Sequence, residues 1–184
     1  MDCAGPAGAG VPAGPCRLCG DPAPVGLGWH HLSGDHDDRS PGNLAAACVL
    51  CHGMAHLNRP TAGDEMLLVW APEMAQPEVN ATARAIHRMF RAEGQSPALG
   101  AVPRKDTPKL RAAWRAYRAL ADRAPDAARI AGTGDPRLLG AALLGMRKPP
   151  LALDGLRLLP TGRHFRDGRD VYPEMVDQAD RRAH

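Results

Sequence analysis

The chain has 184 residues, a net charge of +3 and no run of eighteen apolar residues, so it fits one domain, or a small module with a helical extension, and nothing in it reads as a membrane span. Hydrophobic residues make up 44% but aromatics only 4%, so little area is buried per residue and a structural metal would supplement a thin core. The mild basicity does not by itself make a nucleic-acid binder. No basic start followed by an apolar stretch is present, so no secretory signal is expected, and paired cysteines then point to metal-bound thiolates in a reducing cytoplasm.

Residues 1–15, MDCAGPAGAGVPAGP, carry too little apolar surface to offset ordering entropy and are expected to form a disordered leader, with Cys3 as a leftover free thiol. The other four cysteines form two Cys-x-x-C pairs about thirty residues apart, Cys16 with Cys19 and Cys48 with Cys51. Each pair offers two thiolates from one tight knuckle, and two knuckles complete a tetrahedral shell, so the four are expected to hold a structural Zn²⁺. Chance cysteines or disulfides are the alternative, and the polar surroundings suit a metal better than a core.

Between and after the pairs the chain reads WHHLSGDHDDRSPGNLAAACVLCHGMAH. Residues 21–32 are expected to form a short irregular hairpin ending near His30–Leu32, followed by a polar loop, SGDHDDRSPG, over 33–42. That loop, with Asp35, Asp37 and Asp38 beside His36, reads as solvated; an extra metal site or a shield against phosphate is the sharper alternative. Asn43 stands where a short polar side chain can tie down a loop. His30 and His31 are adjacent and on a strand face opposite ways. His52 and His56 are four apart and on a helix share a face. One of the adjacent pair can therefore join His52 and His56 on a metal while the other stays free as a base. The helix carrying His52 and His56 is expected to stop at Arg59-Pro60.

Beyond residue 60, EMLLVWA (65–71) reads as a buried strand or extended segment. A helix starts at Gln76-Pro77 with Val79, Ala83, Ile86 and Phe90 on one face and Gly94 as its stop. His87 on that helix reads as a surface histidine. Residues 95–103 form a Pro/Gly linker. Thr107-Pro108 opens a second helix with Leu110, Ala113, Trp114, Tyr117 and Leu120 inward and Lys109, Arg111, Arg115 and Arg118 on a solvated face. Residues 125–131 are a short helical piece. Asp135-Pro136 opens another helix, with Leu138, Leu139, Ala142, Leu143 and Met146 as its apolar face and Pro149-Pro150 as its end. LRLLP (156–160) is a short apolar segment, and a last helix runs from about Pro173.

The order of HH, Asn and a histidine directly after the second Cys-x-x-C resembles the HNH, or ββα-metal, endonucleases, and the HGMAH ending is similar to members with two histidines on the helix. This resemblance implies an HNH-like module over about residues 16–60. His30, His52 and His56 would be ligands of a catalytic divalent metal (Mg²⁺, Mn²⁺, Ni²⁺ or Zn²⁺). His31 would be the general base and Asn43 its loop anchor, with DNA as the substrate and the four-cysteine zinc separate.

A second resemblance covers about residues 16–170. EMLLVWAPEMAQPEVNATARAIHRMF, GDPRLLGAALL and LRLLPTGRHF are similar, in order and spacing, to the IcmJ/DotN family of type IVB secretion and conjugation systems. That family has an apolar strand, a Leu-Pro-Glu-like turn and a helix opening Gln-x-x-(Leu/Val)-Asn. The resemblance implies a zinc-stabilised, non-catalytic subunit of a coupling complex that recruits substrates. Its partners would be the type IV coupling ATPase and other secretion-complex subunits, at the cytoplasmic face of the inner membrane. The chain departs from that family in keeping His30, His31, His52 and His56.

The expected fold is α+β: an HNH-like ββα zinc module at 16–60 followed by a mostly helical domain at 61–184. The leading functional expectation is the coupling-complex subunit, and the alternative is a metal-dependent HNH endonuclease. A zinc-knuckle nucleic-acid binder without catalysis is weaker, because the chain lacks aromatic stacking platforms.

Overall fold

The computed structural model describes residues 10, 12–101, 103–146 and 153–183. The expectations for most of the leader, for Cys3 and for the Pro149-Pro150 stop lie outside the described residues. What is described is an α+β arrangement of helices and three two-stranded antiparallel sheets.

The first sheet pairs β1 (Leu27–His31) with β2 (Leu44–Cys48), with His30 opposite Ala45 and His31 opposite Leu44. The hairpin expected within residues 21–32 is therefore wider: its second strand lies beyond the polar loop, because Asn43 closes that loop and lets the chain return. The backbone N–H of Leu32 donates to the Asn43 carbonyl at 2.8 Å, one step beyond the ladder. Helix α1 (Val49–Met54) follows β2 directly. It is shorter than expected, and His56 lies just past its end. Weak i→i+3 bonds, from Ala55 to His52 and from His56 to Gly53, carry the coil one turn further, so the His52 and His56 rings still meet at 4.8 Å between centroids.

After the short α2 (Ala62–Glu65), β3 (Met66–Trp70) runs antiparallel to β4 (Leu156–Pro160), with Leu68 opposite Leu158. The apolar run at 65–71 and LRLLP are thus two strands of one hairpin whose arms lie some ninety residues apart. Between them come α3 (Gln76–Ala92), α4 (Pro108–Ala121), α5 (Ala124–Ala131) and α6 (Pro136–Leu144). The start signals work as expected. Thr107 Oγ1 accepts from the Leu110 N–H at 3.2 Å, Asp135 Oδ1 accepts from the Arg137 N–H at 2.8 Å, and Gly94 turns the chain with φ +68. The main core joins Val79, Ala83, Ile86 and Phe90 of α3 to Leu110, Ala113, Tyr117 and Leu120 of α4, over Val69 and Leu159. Burying a large aliphatic or aromatic side chain contributes about 1.5–3 kcal/mol, so this layer holds the tail together.

Helix α6 departs from its expected face. Leu139 is buried and Leu143 half-buried, but Leu138, Ala142 and Met146 are exposed, because the helix packs with the stripe of Leu139 and Gly140, against β3 and the Leu57 segment. β5 (Phe165–Arg166) and β6 (Arg169–Asp170) form a tight hairpin whose two turn residues, Asp167 and Gly168, both have positive φ, 49 and 76. That is the backbone of a type I′ turn, and Asp-Gly is its usual sequence. Helix α7 (Tyr172–Ala183) then returns to pack Tyr172, Met175, Val176 and Ala179 against Cys16, Val25, Cys48 and Leu50. The cysteine knuckles and the last helix thus share one core. Among the described residues no helix is long and apolar enough to cross a membrane.

His87 is not a surface residue: it is fully buried. Its ring bridges two tyrosines, Nδ1 to the Tyr172 hydroxyl at 2.9 Å and Nε2 to the Tyr117 hydroxyl at 2.8 Å. The Tyr117 hydroxyl donates to the Pro160 carbonyl at 2.5 Å, so its oxygen accepts the Nε2 proton and Nδ1 accepts from Tyr172. Burial pushes the His87 pKa from 6.5 down to about 3, keeping the ring neutral. Between these values the unfolded chain binds the extra proton. The resulting stability is complete above pH 6.5 and declines as the pH falls toward 3. His87→Ala is expected to cost about 3 kcal/mol at pH 7, by orphaning the buried Tyr172 hydroxyl, removing one of the two partners of the Tyr117 hydroxyl and leaving a cavity, and to flatten the loss of stability between pH 6.5 and 4.5. Thermal melts of both proteins across that range check this; parallel pH profiles would reject it.

Candidate metal centres

Knuckle geometry follows from the local sequence. The Gly20 N–H donates to the Cys16 carbonyl at 2.9 Å, and Gly20 takes φ +71, which lets the first pair turn back. The Arg17 N–H donates to the Ala46 carbonyl at 2.8 Å, fastening this knuckle to β2. The second pair spans the junction of β2 and α1, so both knuckles sit on the same hairpin. The four sulfurs lie within 4.8 Å of one another and none is in a disulfide. Cys19 Sγ and Cys48 Sγ are 3.9 Å apart. A tetrahedral Zn²⁺ with Zn–S of about 2.3 Å has a sulfur–sulfur edge of about 3.8 Å, whereas a disulfide needs about 2.05 Å. The donor set and spacing fit zinc.

The electrostatics agree. S–H donation from Cys19, Cys48 and Cys51 lets the Cys16 thiol ionise far more readily than usual, and the thiols of Cys48 and Cys51 are pushed up by that neighbouring charge and by burial. Four thiolates at this spacing therefore need a cation among them. Donors from α3 complete the surroundings. Asn80 Nδ2 donates to Cys51 Sγ at 3.3 Å, and an Arg84 amino group approaches Cys19 Sγ at 3.8 Å while its Nε lies 3.1 Å from the buried Asp21 carboxylate. The Cys48 N–H donates to Cys16 Sγ at 3.3 Å.

A second cluster lies at the other end of the hairpin. One ligand atom from each of His30, His52 and His56 falls within the same 4.8 Å span. The structure thus brings together the three histidines grouped in the sequence, with His30 rather than His31 joining the pair from α1. Burial first, then the neighbouring imidazoles, push His52 and His56 down to about 4, and the same causes lower His30. At neutral pH these rings are uncharged, with lone pairs ready for a divalent cation.

His31 takes the opposite face of β1. It is 1% exposed, and neither ring nitrogen has a hydrogen-bond partner among the described residues. Its ring lies 5.1 Å from that of His36, which in turn lies 5.2 Å from His56. His36, read as part of a solvated loop, therefore belongs to the histidine constellation. Its only sequence signal was its place between HH and Asn43. Asn43 does tie the loop: its Oδ1 accepts from the Ser33 N–H at 2.8 Å and its Nδ2 donates to the carbonyls of Asp38, at 2.8 Å, and Asp35, at 3.3 Å. The Asp35 and Asp38 carboxylates cap the backbone N–H groups of Asp37 and Ser40, both at 2.9 Å, and are used in turns.

Beside the histidines opens a cleft of about 720 Å³, with His52, His56, Arg59, His164 and Arg166 on its walls. Behind it sits a buried carboxylate that the sequence reading passed over. Glu65 Oε2 accepts from Arg59 at 2.7 Å and faces His164 Nδ1 at 3.2 Å, while Oε1 accepts from the Phe165 N–H at 3.0 Å. Burial raises its pKa, but the His164 and Arg59 bonds more than offset this and hold it at about 2.

Fold and clusters together define a small α+β protein with one thiolate and one imidazole metal-ligand set. No family model matches this chain, and no curated protein matches it.

Purified protein is expected to carry about one thiolate-bound zinc per chain, worth on the order of 10 kcal/mol of apparent binding energy. Cys16→Ser or Cys51→Ser should give insoluble or partly unfolded protein. Asn80→Ala should weaken zinc about 10–100-fold without unfolding the chain. Elemental analysis and competition with a chromophoric chelator measure both. Zinc-free protein whose melting a strong chelator leaves unchanged would remove the cysteine assignment.

Proposed function

We propose that the protein is a zinc-stabilised, HNH-like subunit of a type IVB secretion or conjugation coupling complex, acting in protein–protein assembly and substrate recruitment beside a type IV coupling ATPase. The observation that carries this reading is the exposure of two leucines that flank the buried stripe of α6, one on either side. Leu138 is 61% and Leu144 76% exposed, next to a groove of about 430 Å³ lined by Leu57, Leu139, Leu143, Leu153 and Leu156. Exposed leucines beside a leucine-lined groove are what a docking subunit presents to a partner. The motif order behind the IcmJ/DotN resemblance also gains a physical account. Gln76 donates to the Leu158 carbonyl at 2.8 Å and accepts from the Leu158 N–H at 2.9 Å, clamping β4, while Asn80 reaches the Cys51 sulfur at 3.3 Å. The Gln and Asn of Gln-x-x-Val-Asn thus join the tail to the zinc knuckles. The proposal places the protein in the cytoplasm, at the inner face of the membrane that holds the ATPase.

Co-expression with a type IV coupling ATPase from the same genome tests it. Wild type should co-purify, and Leu138→Asp with Leu144→Asp should weaken the complex at least tenfold while zinc content and melting temperature stay in place. A folded, zinc-loaded wild type that leaves the ATPase unbound would sink this reading.

A second reading, metal-dependent HNH endonuclease, is favoured by the convergence of His30, His52 and His56 beside a cleft carrying Arg59 and Arg166. A divalent ion on the three histidines would supply Lewis-acid stabilisation of charge at a phosphodiester. Asn43 would hold the loop, and the HNH resemblance gives proton acceptance to His31. Plasmid nicking with Mg²⁺, Mn²⁺ or Ni²⁺ that disappears in His52→Ala, with the thiolate zinc retained, is the expected outcome under this reading. Absence of nicking with every metal leaves the binding subunit alone.

A further inference from the structure

The sealed position of His31 leaves open which group of the cleft handles protons. We propose that His164, oriented by the buried carboxylate of Glu65, is a catalytic residue of the histidine cleft and accepts the proton of the attacking water; this rests on the endonuclease reading.

Three observations place it there. His164 lines the same cleft as His52 and His56, although it comes from the far end of the chain. Its Nδ1 faces Glu65 Oε2 at 3.2 Å, and Glu65 is buried and ionised. An ionised carboxylate can only accept, so Nδ1 carries the proton and the lone pair of the neutral ring is at Nε2. Nε2 has no protein partner among the described residues and, unlike both ring nitrogens of His31, is not among the sealed polar atoms. A carboxylate that fixes one imidazole nitrogen and turns the other toward a cleft is the arrangement a general base needs.

The backbone that carries the ring is also fixed. The His164 N–H donates to Asp170 Oδ1 at 3.0 Å, and its carbonyl accepts from the Val171 N–H at 2.8 Å. Two residues earlier, Gly162 takes φ +74 against the Pro97 carbonyl oxygen, where a Cβ would lie at 2.1 Å, so the segment has one path. Arg59 shares Glu65 Oε2 at 2.7 Å, which places a guanidinium at the cleft wall for a phosphate oxygen. The charged and titratable groups near His164 are Glu65, Arg59 and Asp170, with His52, His56, Arg166 and Asp167 lining the same cleft.

In the step, a water oxygen bonds to phosphorus and its proton passes to Nε2. The P–O3′ bond breaks, its electron pair leaves with the 3′ oxygen, and that oxygen takes a proton from solvent. His164 then returns its proton to water, so the net change is addition of one water across the phosphodiester.

The test compares wild type and His164→Gln in Mn²⁺-supported nicking of a plasmid, alongside imidazole ¹H–¹⁵N spectra of the zinc-loaded protein. The expected results are a Nδ1–H tautomer for His164 that Glu65→Gln abolishes, and a kcat lowered about a hundredfold in His164→Gln at unchanged KM. In that variant the rising acid limb of the pH–rate profile disappears. Nicking at the wild-type rate in His164→Gln overturns the proposal alone. A lost rate with the acid limb retained gives the residue a structural part and overturns it too. An inactive wild type sinks the endonuclease reading, and the catalytic role with it.

Discussion

Four sulfurs within 4.8 Å of one another, each a thiolate when a metal is bound, set the terms for this fold. Without a cation the like charges repel and most of the thiols stay protonated; with one, two knuckles, a hairpin and a helix become a single unit. Helix α3 is placed by that demand as much as by its apolar face. One stripe, from Val79 to Phe90, fills the main core, and another brings Asn80 and Arg84 to the sulfurs and His87 to the two tyrosines. Arg88 pairs with Asp180 at 2.9 Å and Arg91 with Asp177 at 2.6 Å, so the same helix also holds α7. These pairs are partly exposed and contribute little individually, about 0–1 kcal/mol each. Their effect is orientation, which lets Tyr172 and Val176 close over Cys16 and Cys48.

The two metal-ligand sets divide the labour on one hairpin. The thiolate end faces the fold, covered by α3 and α7, as a structural site should be. The imidazole end faces a cleft, its ligands half-buried, neutral and close enough for one ion. This asymmetry keeps both functional readings physically reasonable. A closed thiolate site would support the proposed assembly role of the helical body, while an open site next to arginines would suit phosphodiester chemistry. The uncovered leucines of α6 and the histidine cleft involve different residues, so docking and chemistry do not exclude one another on steric grounds.

Much of this was legible in the chain because the signals are local. Cys-x-x-C spacing, the Thr107 and Asp135 caps, the proline starts and the 3.6-residue stripe of α3 each depend on neighbours a few residues away. That one of His30 and His31 would join His52 and His56 was also within reach, since a strand alternates and a helical turn repeats, and the HNH resemblance pointed to His30. Other features were missed where one residue type serves two environments. His87 on a helix looks like a solvent-facing polar residue until two tyrosines from α4 and α7 arrive at its nitrogens. The apolar stripe of α6 looked like a core face, yet among the described residues no second layer covers Leu138 or Met146. The Asp167-Gly168 turn was readable and went unread; its strands are two residues each, too short for a periodic pattern.

The sequence by itself determined the ligands and the elements that carry them: four thiols in two knuckles, three histidines at strand and helix spacing, an Asn that closes a loop, and the starts of α3, α4 and α6. Only the tertiary structure decided the long-range pairings. Glu65 meets His164 and Arg59 because β3 and β4 pair across about ninety residues, bringing the chain's far end to its histidines. Such a contact leaves no local pattern: the cost of burying the Glu65 charge is offset by partners that no spacing rule connects, and loop closure costs only slowly more with length.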